Sequence, residues 1–211
     1  LFKTSVVLVS MVWMSAVEKK KKNGTIGVGN ELPWYCSKDL QRFKQLTVGK
    51  VCVFGRKTFD SLKLKNGLPN RLNIVVTNNE ELLKNSLRHI DAEPNDGVVY
   101  VGPKDIHLNA EDLHGFIDHL SEMNTRGCNI HPEIMICGGS KLYEMFEYKI
   151  DRVYLTEFQH QLVDPTTPDL VKFPYDPKHY KKVLATERTT LDVTVVGQQL
   201  QQVETVFSIY Q

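Results

Sequence analysis

Two short stretches are apolar without a break, Val51-Cys52-Val53-Phe54 and Ile134-Met135-Ile136-Cys137, and each stops at glycine before a helical pattern begins. A strand that is apolar on both faces leaves neither side for water, so it must be covered above and below. That requirement belongs to parallel sheets flanked by helices. Similar runs recur at Val6 to Val12, Leu72 to Thr77, Val98 to Val101 and Val153 to Thr156. Helical patterns separate them. One runs from near Ser37 to Leu46, with Leu40, Phe43 and Thr47 on one face and Lys38, Arg42 and Gln45 pointing elsewhere. A short one contains Phe59 and Leu62, another carries Leu142, Tyr143 and Phe146, and Leu113, Phe116, Ile117 and Leu120 make an i, i+3, i+4, i+7 stripe. Gly67-Leu68-Pro69-Asn70 is a turn, 161–178 reads as a long Pro- and Asp-rich loop, and Lys182 to Glu187 with Val203 to Tyr210 form a terminal pair of strands. The expected architecture is α/β, in one domain over residues 1–211: at 211 residues and 41% hydrophobic content there is enough chain for one sizeable core and too little for two typical ones.

Charge narrows the function. With 26 Lys+Arg against 25 Asp+Glu, the chain has no global attraction to nucleic acid or membrane. The run Lys19-Lys20-Lys21-Lys22 lacks aromatic neighbours and reads as a solvated loop. The four cysteines, Cys36, Cys52, Cys128 and Cys137, include no C-x-x-C pair, so no metal site is expected and a reducing cytoplasm is. The run from Val6 could serve as the core of a signal peptide, but its length and β-branching favour a buried strand.

Two strand-to-helix junctions could carry chemistry. A strand that ends in Gly138-Gly139 lets backbone approach a ligand without a Cβ in the way. At Gly55-Arg56-Lys57-Thr58 the other junction adds two cations and a hydroxyl, a set suited to a dinucleotide phosphate. Either could equally be an ordinary tight turn, and neither is a G-x-G-x-x-G fingerprint or a P-loop. Asp39 shares a helix face with Phe43 at the border of the apolar stripe, where a carboxylate needs a partner. It could also be a first-turn acid favoured by the helix dipole.

Beyond these features, the stretch Ile26-Gly27-Val28-Gly29-Asn30-Glu31-Leu32-Pro33-Trp34 resembles the I-G-x-x-x-x-L-P-W loop of dihydrofolate reductases. Asp39 follows five residues later, with Phe43-Lys44 at the family offset. Gly55 to Leu62 is similar to G-[RK]-x-T-[WF]-x-S-[IL], and Leu68 to Val75 to L-P-G-R-x-N-I-V. Ile134 to Tyr143 is similar to the I-G-G-x-x-[VIL]-Y segment, and Val153 to Thr156 to the strand that carries the family threonine. The blocks keep their order over nearly the whole chain.

The resemblance implies a dihydrofolate reductase-like fold: a mostly parallel central sheet with an antiparallel C-terminal strand, flanked by helices. It implies reduction of dihydrofolate by NADPH in a cytoplasmic enzyme, supporting one-carbon metabolism and thymidylate synthesis and binding antifolate-type molecules. A monomer is expected, and a thymidylate synthase is the partner if the chain comes from a fusion. Asp39 would hold the pterin and polarise it, with Thr156 on the same edge. Leu32, Phe43 and Leu68 would form apolar walls, and Arg71 would fork onto the carboxylate of the glutamate tail. Arg56, Lys57, Thr77 and Asn78 would surround the adenosine 2′-phosphate, and two cations there favour NADPH over NADH. Gly55, Thr58 and the run Cys137, Gly138, Gly139, Ser140, Lys141, Leu142 and Tyr143 would line the rest of the cofactor. Ile26, Asn30 and Trp34 would lie in a mobile loop closing over the nicotinamide, and one of Val9 to Met11 would face the cofactor.

The chain departs from the pattern in places. The stretch 14–25 is enlarged, Cys137 stands where an aliphatic is usual, and the acid at Asp169 is followed by Leu170, which argues against the loop–loop contact made there in relatives. A pyrimidine reductase of riboflavin synthesis would share the Gly-Gly junction but lack the L-P-W loop and Asp39. A catalytically silent relative of the fold would be expected to have lost Asp39 or Arg71.

Overall fold

Hydrogen bonding and burial both follow from the apolar runs. In a computed structural model, which describes residues 6–12, 24–64, 66–86, 98–101, 131–146, 150, 152–174 and 182–211, those runs are strands. The described elements, in chain order, are β1 (Val6–Val12), β2 (Thr25–Val28), β3 (Trp34–Tyr35), α1 (Ser37–Thr47), β4 (Lys50–Gly55), α2 (Arg56–Ser61), β5 (Leu72–Val76), α3 (Glu80–Ser86), β6 (Val98–Val101), β7 (His131–Ile136), α4 (Ser140–Phe146), β8 (Arg152–Phe158), β9 (Leu170–Lys172), β10 (Val183–Val195) and β11 (Leu200–Tyr210). The chain divides into two compact units, one holding Thr47–Met145 and the other Val6–Leu46 with Phe146–Gln211.

In the first unit the strand order is β7-β4-β5-β6, every pair parallel. β4 lies between two partners, and Val51 to Phe54 are buried. The α2 side chain Phe59 packs its ring 5.8 Å from that of Phe54. β5 is buried along its whole length, including the polar Asn73.

The second unit combines both kinds of pairing. β8 runs parallel to β1 and antiparallel to β11, and β11 forms a long hairpin with β10. β3 adds to the far edge of β10, while β2 pairs antiparallel with β1 and β9. Its core gathers Trp34, Phe158, Leu162, Leu191, Val193 and Val203, with the Trp34 ring edge-on to Phe158 at 6.0 Å, a pairing that adds about 0.5–1.5 kcal/mol to area burial.

The α/β reading, with its parallel strands and antiparallel C-terminal strand, is borne out, and the antiparallel portion extends further than one strand. β10 continues eight residues past Glu187, to Val195. Residues 183–188 are exposed, whereas Leu191, Val193 and Val195 alternate into the core, so the unforeseen part of β10 carries the clearer strand pattern. The loop expected over 161–178 contains β9, held by backbone pairing that needs no apolar signature. Leu40 is 45% exposed rather than on the buried face of α1. The stripe from Leu113 to Leu120 lies outside the described residues. No described helix is long and apolar enough to cross a membrane.

Glu157 on β8 is a charged residue in a poor setting. It lies opposite Val206, which in turn lies opposite Arg188. Burial lifts its pKa to about 7, against a weaker opposing pull from Arg188, whose guanidinium is also bound to Glu204 at 3.1 Å. Because the folded state holds this proton more tightly than the unfolded chain, its stabilisation is full below about pH 4.5 and is lost as pH rises through about 7. We expect Glu157→Gln to flatten the decline of stability across that window by roughly 1–3 kcal/mol, read from urea unfolding at several pH values. Separately, Phe158→Ala should cost about 3–5 kcal/mol in the same assay. Val196→Ala, at a side chain 78% exposed, should change stability by less than about 0.5 kcal/mol.

Candidate active site

The glycine junctions anticipated at the ends of β4 and β7 are packed against each other inside the first unit. The ladder between these strands carries on past their apolar residues: Cys137 N–H donates to the Val53 carbonyl at 2.8 Å, and Gly55 N–H donates to the Gly138 carbonyl at 2.7 Å. A Cβ on Gly139 would sit 3.0 Å from Thr58 Oγ1, and one on Gly138 3.2 Å from the Tyr143 hydroxyl. Gly138 also has φ +111°, a backbone state that L side chains rarely adopt. The peptide between Gly138 and Gly139 is cis. Gly55, Thr58, Gly138, Gly139 and Tyr143 thus meet at one close-packed junction, with Gly138 and Tyr143 buried and the others half-buried. α4 then begins at Ser140, with Lys141 exposed and Leu142 buried.

The cationic residues beside the junction are exposed. Arg56 is bound to Asp60 at 2.9 Å on the surface of α2, and Lys57 is open to solvent. An exposed pair of this kind is worth only ~0.3–0.5 kcal/mol, so Arg56 can be drawn away by a better anion. Thr77 is buried and its hydroxyl accepts from Asn79 N–H at 3.1 Å. Asn78 beside it is exposed.

Arg71 is 6% exposed. Its Nη1 donates to the Pro69 carbonyl at 3.3 Å, while its buried Nε has no partner. Burial lowers its pKa from the ordinary arginine value, opposed by the nearby Cys52 and Cys137 thiols. Burial also pushes the Cys137 thiol well up, and Cys52 adds to that. Leu68, half-buried, precedes Arg71 on the same turn. The Asn73 side chain is bound to this turn, a contact to which the sequence reading assigned no role.

In the second unit, Asp39 is half-buried in the first turn of α1, where an acid suits the helix dipole, and Phe43 is half-buried one turn later. The sequence pattern turned Arg42 away from the apolar face. Instead its guanidinium lies 4.7 Å from the Phe207 ring centroid. Burial lowers its pKa, and Asp39, Tyr154 and Glu187 partly restore it. Phe207 lies directly opposite Thr156 on β8, so the two share a sheet face, and Arg42 seats α1 on that face. Thr156 is buried there. Only the geometry shows this; a cation–π contact leaves no periodic signal.

The Leu32 side chain is 51% exposed and Asn30 is exposed. Ile26 is half-buried on β2. Trp34 departs from the expectation of a mobile loop residue: it is 5% exposed, paired through β3 with β10 and fixed against Phe158. A loop–loop contact is also present where Asp169-Leu170 argued against one. Thr25, Gly27 and Val28 pair with Lys172, Val171 and Leu170, and Gly29 N–H donates to the Asp169 carbonyl at 2.8 Å. Backbone makes the contact, so the side chain at 170 does not decide it. The side chains of Val9 to Met11 lie outside the described set. Among the described residues no cluster of three or more His, Cys, Asp or Glu could hold a metal ion.

A sequence model described as dihydrofolate reductase matches residues 13–95. The dihydrofolate reductase of Buchnera aphidicola is 31% identical over 163 residues, covering 77% of this chain and 83% of the relative. A bifunctional dihydrofolate reductase-thymidylate synthase of Paramecium tetraurelia is 53% identical over 57 residues, 27% of this chain and 12% of that one. Among solved structures, a dihydrofolate reductase from Enterococcus faecalis, complexed with NADP(H) and RAB-propyl, shares the fold at a TM-score of 0.60 and 20% identity, covering 99% of this chain and 96% of that one.

Gly138→Ala should destabilise the protein by about 1–3 kcal/mol, because a Cβ makes the φ +111° held there unfavourable and crowds the Tyr143 hydroxyl. Thermal unfolding would measure it; an unchanged midpoint would show that the junction relaxes freely.

Proposed function

The chain belongs to the dihydrofolate reductase family, and we propose that it performs that family's reaction, reducing 7,8-dihydrofolate to 5,6,7,8-tetrahydrofolate with NADPH, and that Asp39 is the one ionisable side chain held against the pterin. The observation that carries this reading is the glycine junction. A dinucleotide fits such a surface: backbone without Cβ atoms allows close approach, and Gly139 could bear no side chain without pressing on Thr58. Gly55, Thr58, Cys137, Gly138, Gly139, Ser140, Lys141, Leu142 and Tyr143 would hold the cofactor along this junction, Leu142 from beneath. Arg56, Lys57, Thr77 and Asn78 would take the 2′-phosphate, with Arg56 exchanging Asp60 for the stronger anion. Ile26 and Asn30 would close over the nicotinamide and Trp34 would brace that segment from the core. When bound, the reduced nicotinamide supplies a hydride.

The rest of the chemistry falls to the protein. Two oxygens of Asp39 match the two donors on the 2-amino edge of the pterin, and a fixed negative charge there favours the protonated, electron-poor ring. Positions 5 and 6 gain the two hydrogens, so the hydride goes to C6 and the proton to N5. No second acid is assigned to the site, and water delivers that proton. Thr156 would bind the same edge. Leu32, Phe43 and Leu68 would flank the substrate rings, Leu32 losing exposed apolar area as it does so. Arg71 would pair with the glutamate α-carboxylate, which satisfies its orphaned Nε environment and repays part of the guanidinium's desolvation. Residues 1–211 act as one catalytic domain and as a monomer in the cytoplasm, a setting consistent with the free thiols of Cys36, Cys52 and Cys137. The likeness to the Paramecium bifunctional protein supports a thymidylate synthase as the partner, on the same polypeptide or apart.

NADPH absorbance should fall only when dihydrofolate is added, and Asp39→Asn should lower kcat/KM by about 10²–10⁴-fold. Equal rates for wild type and variant would remove Asp39 from the mechanism.

A further inference from the structure

We infer that Asn73 is a positioning residue: it holds the turn that carries Leu68 and Arg71, and through Arg71 it sets how tightly the acidic tail of the substrate is bound. This rests on the role proposed for Arg71.

Asn73 is out of character with its strand. The other residues of β5 are Leu72, Ile74, Val75 and Val76, and Asn73 itself is 0% exposed. A buried amide without partners is costly, so its bonds must account for its presence. They all go to one place. Oδ1 accepts from Leu68 N–H at 3.0 Å. Nδ2 donates to the Leu68 carbonyl at 3.0 Å and to the Arg71 carbonyl at 3.1 Å. The amide thus presents a donor and an acceptor to both backbone groups of Leu68, as a neighbouring strand would.

The turn is built around that amide. A Cβ on Gly67 would lie 2.7 Å from Asn73 Cγ, and Gly67 has φ +71°. Position 67 is therefore closed to any larger residue while the amide is in place. Beyond the clamp, Arg71 has one weak bond to the Pro69 carbonyl at 3.3 Å and no partner for Nε. A buried guanidinium with so little support of its own takes its aim from its backbone, and the Asn73 amide fixes the Arg71 carbonyl. Asp cannot replace it, because a carboxylate would face two carbonyls with no proton to offer. Ser is too short to reach both sides.

The test uses two substrates, dihydrofolate and dihydropteroate, which has the same reacting ring and no glutamate tail. The variants are Asn73→Ser, Asn73→Asp and Arg71→Leu. We expect wild type to show the lower KM for dihydrofolate. Asn73→Ser should raise that KM about tenfold, comparable to one lost hydrogen bond to a charged group. KM for dihydropteroate should rise by a clearly smaller factor, through Leu68 alone, and kcat for both substrates should stay within about twofold. The double variant with Arg71→Leu should add little, because one interaction is lost in both. A rise in KM that is equal for the two substrates would make Asn73 merely structural and overturn the inference. Equal KM values in wild type would overturn the role of Arg71, and this inference with it. Should the variants not fold, amide hydrogen exchange of the wild-type protein decides: the Leu68 N–H is expected to be protected, and rapid exchange there would sink the clamp.

Discussion

The parallel ladder between β4 and β7 does more than join two strands, because it does not stop where the strands stop. Gly55 and Gly138 remain hydrogen-bonded at 2.7 Å after both chains have left their apolar stretches. Two turns that would otherwise wander are thereby held together: a Cβ on Gly55 would meet Gly138 and Gly139 in ordinary contact, while the crowding at Gly138 and Gly139 comes from Tyr143 and Thr58. The geometry of this junction is set by strands whose burial is driven by apolar side chains.

Legibility in the sequence followed the kind of force involved. Where burial decides, pattern was enough: Val51 to Phe54 and Ile134 to Ile136 sit in strands as their unbroken apolarity requires. Where backbone pairing decides, pattern was silent, as in β9. Helix periodicity located α1 and placed Thr47 correctly, but misplaced Leu40 and Arg42. Leu40 is exposed and Arg42 instead lies over the Phe207 ring, since a guanidinium on an aromatic ring can replace an aliphatic contact. Trp34 belongs to a motif that reads as a loop, yet a side chain of that size beside Phe158 is worth more to the core than to a lid. Asn73 was visible as a letter in a motif, but its three bonds require the turn before it, which only folding brings back onto the strand.

The charged groups that burial disturbs, Arg42, Arg71 and Glu157, are handled in different ways. Arg42 is compensated by a ring and surrounding carboxylates. Glu157 is left undercompensated, and takes up a proton more readily as a result. Arg71 cannot use that escape, because a guanidinium does not give up its proton in a protein. An unpaired Nε on such a group is a standing cost within the fold, and the most direct way to relieve it is an anion supplied from outside.

The contact between 24–29 and 169–173 shows why a side-chain signature can mislead about a loop. The pair Asp169-Leu170 lacks the expected pattern, yet Gly29 N–H reaches the Asp169 carbonyl and Phe173 N–H reaches that of Gly24 at 2.9 Å. Every residue type offers a carbonyl, so substitution at 169 leaves this acceptor in place. What the position must supply is a backbone state, φ +58° at Asp169, which Asp tolerates better than most residues. The constraint on this segment is therefore conformational more than chemical, and Asp169 can serve it without using its carboxylate on the facing loop.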